Sequence, residues 1–181
     1  WPGRFEIMST EPMIVLEGSH NPGAAATLSD LLARYDYEDL HLVFGAMADK
    51  AYGEMVESLP EVATAYATRP DLDRAEHPDA LAETLSAYAG SVETVASVPE
   101  ATERAIEAAD ADDFVLVSGS LYTVAEARDR WTRRLVPTAR TRGSHVASSF
   151  VGADFESDFD AVETDSAADV PRDDPASAVD R

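Results

Sequence analysis

Three short runs, Met13-Ile14-Val15-Leu16, Leu40-His41-Leu42-Val43-Phe44 and Phe114-Val115-Leu116-Val117, carry no acid and no Lys or Arg, and each gives way within a few residues to a stretch of helical character. Runs of this length are too short for helices, and their continuous apolar content suits strands covered on both faces. Such a strand cannot stand alone, because it needs a helical layer above and another below. Strand and helix signals then alternate along the chain, and that alternation restricts the fold more than any other feature. Val62–Ala67 reads as a further parallel strand, and Val92–Val95 as a short one. The helix signals between them are specific. Asn21-Pro22 opens a helix to about Tyr35, with Leu28, Leu31, Leu32 and Tyr35 on one stripe. Asp49 is placed to cap a helix running to about Leu59. Pro78 begins a helix stopped by Gly90. Ser97-Val98-Pro99-Glu100 has capping-box spacing for a helix to about Ala109, and Leu121 opens the last one, to about Leu135.

The expected architecture is a Rossmann-like α/β fold with a mostly parallel sheet and helices on both faces. One element departs from parallel order. Arg4–Met8 alternates like a half-buried strand, Ser9–Pro12 is turn-like, and Met13–Leu16 returns, which makes an N-terminal antiparallel hairpin. The outer ends of a hairpin lie together, so Arg4 and Glu17 are expected at the same end of the sheet. After about Thr138 the composition changes to Asp, Glu, Ser and Ala with few large apolar groups. Residues 1–138 therefore read as one domain, and residues 139–181 as an acidic, disordered linker or tail in which only Phe150, Phe155 and Phe159 offer docking groups.

Charge limits the partners. The chain has 35 acidic against 14 basic residues, a net −21, which argues against nucleic acid and anionic membranes. Lys50 is the only lysine, and the acids are spread along the whole length, as expected of a protein from a salt-rich cytosol. The absence of cysteine excludes disulfides, thiolate catalysis and cysteine zinc sites. With no span-length apolar run and no signal peptide, a cytoplasmic location is expected. The first residue is Trp1 and not Met, so a piece of a longer polypeptide is expected.

Glu17-Gly18-Ser19-His20-Asn21-Pro22 lies where a strand hands over to a helix, the usual place for ligands in open α/β sheets. An arginine there can pair with phosphate, and a helix N-terminus offers unpaired N–H groups. Glu17 would instead meet ribose hydroxyls, an ammonium group or a metal. His20 could donate to a nucleotide or line an amine channel, or merely brace the turn. With Trp1-Pro2-Gly3-Arg4, Val43-Phe44-Gly45 with Asp49-Lys50, Arg74 to Leu81, and Ser118-Gly119-Ser120-Leu121-Tyr122, these residues form five motifs in order. Together they resemble the C-terminal domain of the Mur ligase superfamily, and within it folylpolyglutamate synthase/dihydrofolate synthase, over about residues 1–131.

The resemblance implies an ATP-dependent ligase that activates the carboxylate of a pteroate or folate as an acyl phosphate and joins it to glutamate. It implies ATP contacts for Arg4 and Glu17, and a catalytic place for His20 between ATP and glutamate. Arg74 and Ser120 are further candidates, on the glutamate side. The family usually has Asp where this chain has Glu17, one methylene longer. The phosphate loop and Mg²⁺ ligands belong to the family's N-terminal ATPase domain, so this chain alone is expected to be inactive. No metal-ligand spacing, Gly-Lys-Ser/Thr phosphate loop, dinucleotide fingerprint or serine-hydrolase elbow is present. The acidic tail is expected to tether a further domain. Two alternatives stay open: another Mur-type amide ligase, against which Arg4 and Ser118 to Tyr122 argue, and a non-catalytic nucleotide-binding module.

Overall fold

The structure is a computed structural model that describes residues 2–132. The expected linker or tail, its three phenylalanines and the boundary at residue 138 lie outside the described residues. Six strands form one sheet: β1 (Glu6–Thr10), β2 (Met13–Leu16), β3 (Leu40–Phe44), β4 (Val62–Ala67), β5 (Ala89–Thr94) and β6 (Phe114–Ser118). Their spatial order is β1-β2-β6-β3-β4-β5. β1 pairs antiparallel with β2, and every other pairing is parallel. The mostly parallel sheet with one N-terminal hairpin is thus observed.

Five helices follow the strands: α1 (Pro22–Leu32), α2 (Tyr52–Glu57), α3 (Pro78–Leu85), α4 (Val98–Ala108) and α5 (Leu121–Thr132). The side-chain period of two explains why the central strands are apolar throughout. Val15, Leu42, Phe44, Phe114 and Leu116 turn to one face, where α1, α2 and α3 supply Leu28, Leu32, Met55, Leu81 and Leu85. Leu16, Val43, Val115 and Val117 turn to the other, against Val98, Ala101 and Ala105 of α4 and Val124 and Ala127 of α5. Full burial of each such side chain contributes about 1.5–3 kcal/mol, so an unpaired charge at any of these positions would be strongly destabilising.

Three helix starts follow the expected chemistry. Asn21, His77 and Ser97 cap α1, α3 and α4 with side-chain acceptors, and Pro22, Pro78 and Pro99 fall in the first turns. Other boundaries differ. The strand of the hairpin begins at Glu6, leaving Arg4 in the preceding loop. Asp49 does not cap α2. That helix starts later, after Ala51, because Met47 bridges Ala75 and the Lys50 N–H closes a turn onto the Met47 carbonyl at 3.1 Å. Gly90 does not stop α3, which ends at Leu85, but lies within β5. A Cβ at Gly90 would meet the Ala63 carbonyl oxygen at 2.9 Å, so the glycine serves close backbone approach between strands.

At the amino end of the parallel strands, buried Asp113 joins three segments. Its carboxylate accepts the Asp39 and Asp110 N–H groups at 3.1 and 2.8 Å and meets His41 Nε2 at 3.2 Å. Burial would raise the Asp113 pKa, but the bonds from Asp110, His41 and Asp39 outweigh it and hold the carboxyl below its ordinary value of 3.8. A carboxylate depressed in the folded state contributes stability above its unfolded pKa and loses it as pH falls through the folded one. Asp113→Ala is therefore expected to cost about 2–4 kcal/mol at neutral pH, since it strands two amides and an imidazole. Denaturant titrations of both proteins should show that difference shrinking once pH drops below 3.8, and a difference independent of pH would count against the clamp. Among the described residues no helix is long and apolar enough to cross a membrane.

Candidate functional site

The chain runs from β2 through α1 to β3 on one face, whereas β6 leads into α5 on the other. β6 lies between β2 and β3, so its following helix departs to the opposite side from those of both neighbours. In open α/β sheets, ligands bind beyond the carboxyl ends of the strands at such a reversal. Glu17 to His20, Gly45 and Ser118 to Ser120 all emerge there.

The loop bearing Arg4 is pinned beside these strand ends on both flanks. The Gly18 N–H donates to the Gly3 carbonyl at 2.8 Å, and the Phe5 N–H donates to Glu17 Oε2. Glu17 Oε1 accepts the hydroxyl of buried Ser19 at 3.2 Å, so both carboxylate oxygens are oriented. Gly3 and Phe5 have φ values of +68° and +46°. The second is a sparsely populated conformation for a side chain this large, stabilised here by the Glu17 bond and by stacking on Tyr35 at 5.5 Å. Between them Arg4 is exposed and, among the described residues, has no ion-pair partner. Glu6 reaches back to the same loop. Its Oε2 accepts the Gly3 N–H at 2.8 Å, while both its oxygens lie 3.0 Å from Arg128 Nε on α5.

His20 is half-buried, and its Nδ1 lies 3.0 Å from the Gly18 carbonyl. A carbonyl only accepts, so Nδ1 carries a proton, and in the neutral ring Nε2 is the nitrogen left as acceptor. Asn21 spends its side chain on the Ala24 N–H at 2.9 Å, as a helix cap. A Cβ on Gly18 would fall 2.2 Å from Leu121 Cδ2, so the Leu121 side chain would have to turn aside.

The remaining candidates separate. Arg74 sits apart from Arg4, in the loop after β4, and stacks over the Tyr122 ring at 5.4 Å while donating to its hydroxyl at 3.4 Å. Ser120 is buried and caps α5, accepting the Thr123 N–H at 3.0 Å. Thr123 gives its own hydroxyl proton to the Gly45 carbonyl at 2.8 Å, so Ser120 must donate to Thr123 Oγ1, also at 2.8 Å. Its hydroxyl is thereby committed within the protein. Lys50 is exposed beside Asp49. A groove of about 600 Å³ between α4 and α5, lined by Asp71, Glu103, Glu126 and Arg130 among others, is too acidic for an anionic nucleotide. Among the described residues, no three of His, Asp and Glu are grouped to hold a metal ion.

The pinned arginine loop, the acid-Gly-Ser-His-Asn-Pro turn and the reversal at β6 coincide with a family match. The family described as Mur ligase, glutamate ligase domain, matches residues 3–121. The chain belongs to the Mur ligase glutamate ligase domain family. A probable bifunctional folylpolyglutamate synthase/dihydropteroate synthase of Haloferax volcanii is 54% identical over 143 residues, which are 78% of this chain and 17% of that protein. A protein of the same description from Halobacterium salinarum is 49% identical over 139 residues, 76% of this chain and 17% of that protein. Both sources agree with the acid excess and single lysine of this Mur ligase domain. The crystal structure of bifunctional folylpolyglutamate synthase/dihydrofolate synthase from Yersinia pestis, complexed with AMPPNP and a Mn ion, superposes with a TM-score of 0.68 at 31% identity. It covers 73% of this chain and 32% of that one. The chain thus spans about a sixth of the two halophilic relatives' length.

Some neighbours of this Mur ligase site were not legible in the motifs. Glu6 and Arg128 are 122 positions apart and follow no pattern that joins them. Tyr122 stands in the Gly-Ser-Leu-Tyr run, yet only the fold shows that Arg74 lies upon it.

Proposed function

We propose that this chain is the C-terminal domain of an ATP-dependent ligase of the folylpolyglutamate/dihydrofolate synthase type, joining glutamate to a (dihydro)pteroate or folate. The acceptor carboxylate takes the terminal phosphoryl group of ATP, releasing ADP. The amino group of glutamate then attacks the acyl phosphate, forming the amide and releasing phosphate. Arg4, exposed without an ion-pair partner among the described residues, contributes a fixed cation to the phosphates. Glu17 contacts the nucleotide away from them, since its charge repels phosphate. His20, whose Nδ1 donates to the Gly18 carbonyl, offers Nε2 of its neutral ring to accept a proton from the incoming ammonium group. Arg74 faces the substrate carboxylate. Ser120 serves that side through the turn that it caps, because its hydroxyl is already engaged.

The chief support is the bonding of the Arg4 loop to the Glu17–Gly18 turn, which brings an exposed arginine's backbone and a carboxylate together beyond the carboxyl end of β2. The AMPPNP and Mn ion of the Yersinia pestis protein agree with ATP and Mg²⁺ as its requirements. Metal ligation does not fit the described residues of this domain, so the phosphate loop and metal ligands are assigned to an N-terminal ATPase domain of the same polypeptide. Closure of the two domains would exclude water from the acyl phosphate. ATP and glutamate are cytoplasmic metabolites, and we place the ligase there.

A second domain downstream is a related proposal. The matched stretch is 32% of the Yersinia pestis chain but only 17% of the Haloferax volcanii protein, whose description includes dihydropteroate synthase. The halophilic relative is therefore about twice as long, with room for another enzyme.

In the longer polypeptide that carries this chain, ADP release is expected to depend on glutamate and a pteroate or folate together. The 181-residue chain alone is expected to show none. Turnover with a cell-wall precursor in place of the pteroate would favour another Mur-type ligase, and ATP binding without turnover would favour a binding module.

A further inference from the structure

The Arg4 loop has no regular structure and includes two residues at positive φ, yet it must present a guanidinium in one place. Its flank toward β2 is secured by Gly18 and Glu17. Its other flank is secured from a distance. Glu6 holds the Gly3 N–H with Oε2, and Arg128, on the final described helix, holds Glu6 through both oxygens. The pair is partly buried, with the Arg128 and Glu6 side chains 34% and 20% exposed, so it is less screened than a surface pair. Glu6 opens the edge strand β1, and its carboxylate is turned back to the loop and to α5. What the carboxylate does is fix the start of a three-residue loop whose middle residue is Arg4.

We propose that Glu6 and Arg128 are positioning residues for Arg4, setting the place of its guanidinium without touching substrate themselves. This rests on the assignment of Arg4 to the ATP phosphates. Glu6 spans two elements: its backbone belongs to β1, its carboxylate to the loop and to α5. With Arg128 removed, Glu6 keeps one amide bond but loses the charge that orients it. The Gly3 end of the loop then keeps its Gly18 bond but loses the firm hold on its N–H, while the Phe5 end remains tied. Arg4 would sample several positions, and ATP affinity would fall by the fraction of time spent outside the productive one.

The test is steady-state kinetics of the ligase polypeptide containing this chain. Arg128→Ala is expected to raise KM for ATP about 10-fold and leave KM for glutamate within about 2-fold, since only one substrate meets Arg4. Arg128→Lys, which keeps the charge, should recover most of the loss. Glu6→Gln, which keeps the acceptor for Gly3, should fall between. The deciding measurement is the double variant: in an Arg4→Ala background, Arg128→Ala should raise KM for ATP no further, because coupled residues are not additive. An equal rise in both backgrounds, or equal rises in both KM values with a lowered melting temperature, would overturn the proposal. If Arg4→Ala alone leaves ATP kinetics unchanged, the assignment of Arg4 to phosphate fails first, and this inference falls with it by a distinguishable route.

Discussion

Arg4→Ala in the ligase polypeptide is expected to lower kcat/KM for ATP about 100-fold, a loss of about 2.7 kcal/mol, with an unchanged melting temperature. The magnitude is that of removing one charge-assisted donor from a transferring phosphoryl group. The separation of activity from stability follows from the structure. Arg4 is exposed and, among the described residues, makes no ion pair, whereas the backbone of its loop is held by Gly3 and Phe5. Arg4→Lys should recover only part, because an ammonium lacks the planar fork that meets two phosphate oxygens together. Steady-state kinetics beside a thermal melt would decide it. Equal constants with and without the Arg4→Ala substitution would remove Arg4 from the nucleotide site.

Gly119→Ala is expected to cost about 3–5 kcal/mol, from left-handed strain and overpacking together. Gly119 has φ +105°, and a Cβ there would lie 2.5 Å from the Gly45 carbonyl oxygen and 3.0 Å from both the Gly45 carbonyl carbon and Phe44 Cε2. The obstacle is mostly backbone and cannot rotate away. Gly45 is also crowded, though without a positive φ, as a Cβ on it would meet Thr123 Oγ1 at 2.7 Å and the Thr68 carbonyl oxygen at 3.1 Å. The turns after β3 and β6 therefore touch main chain to main chain, and relief at one would displace the other. Against a total stability of about 5–15 kcal/mol, the loss should lower the melting temperature by about 10 °C or more. Gly23→Ala makes the contrast. It lies in the first turn of α1, where an added methyl meets only Asn21 Oδ1 at 3.6 Å, so a gain of about 0.5–1 kcal/mol is expected. Thermal melts of the two variants showing losses of similar size would contradict this account.

The fold was largely legible because its signals are local. An apolar run with no polar face demands two layers, and a capping side chain before a proline marks a helix start whatever surrounds it. Legibility failed where distant segments decide. Asp49 has the chemistry of a cap, but the Met47–Ala75 bridge commits the backbone to a turn before α2 can begin. Gly90 has the chemistry of a helix stop, but the neighbouring strand needs it to be small. His41 and Asp113 are 72 positions apart, and neither shows its partner in the sequence. The candidate site divides in the same way. Hairpin geometry alone brings Arg4 and Glu17 to one end of the sheet. That the Ser120 hydroxyl is occupied, that Tyr122 carries Arg74, and that Arg128 steadies the loop depend on how α5 lies across the sheet.

The Glu6–Arg128 contact also bears on synthesis order. A ribosome completes the hairpin long before it reaches α5, so the nascent sheet can begin to pair while its first loop still wanders. Only when the last helix arrives does Glu6 meet Arg128, and the opening segment gains its second hold. On the proposed assignment of Arg4, a growing chain would complete its grip on a nucleotide at the end of the domain's manufacture.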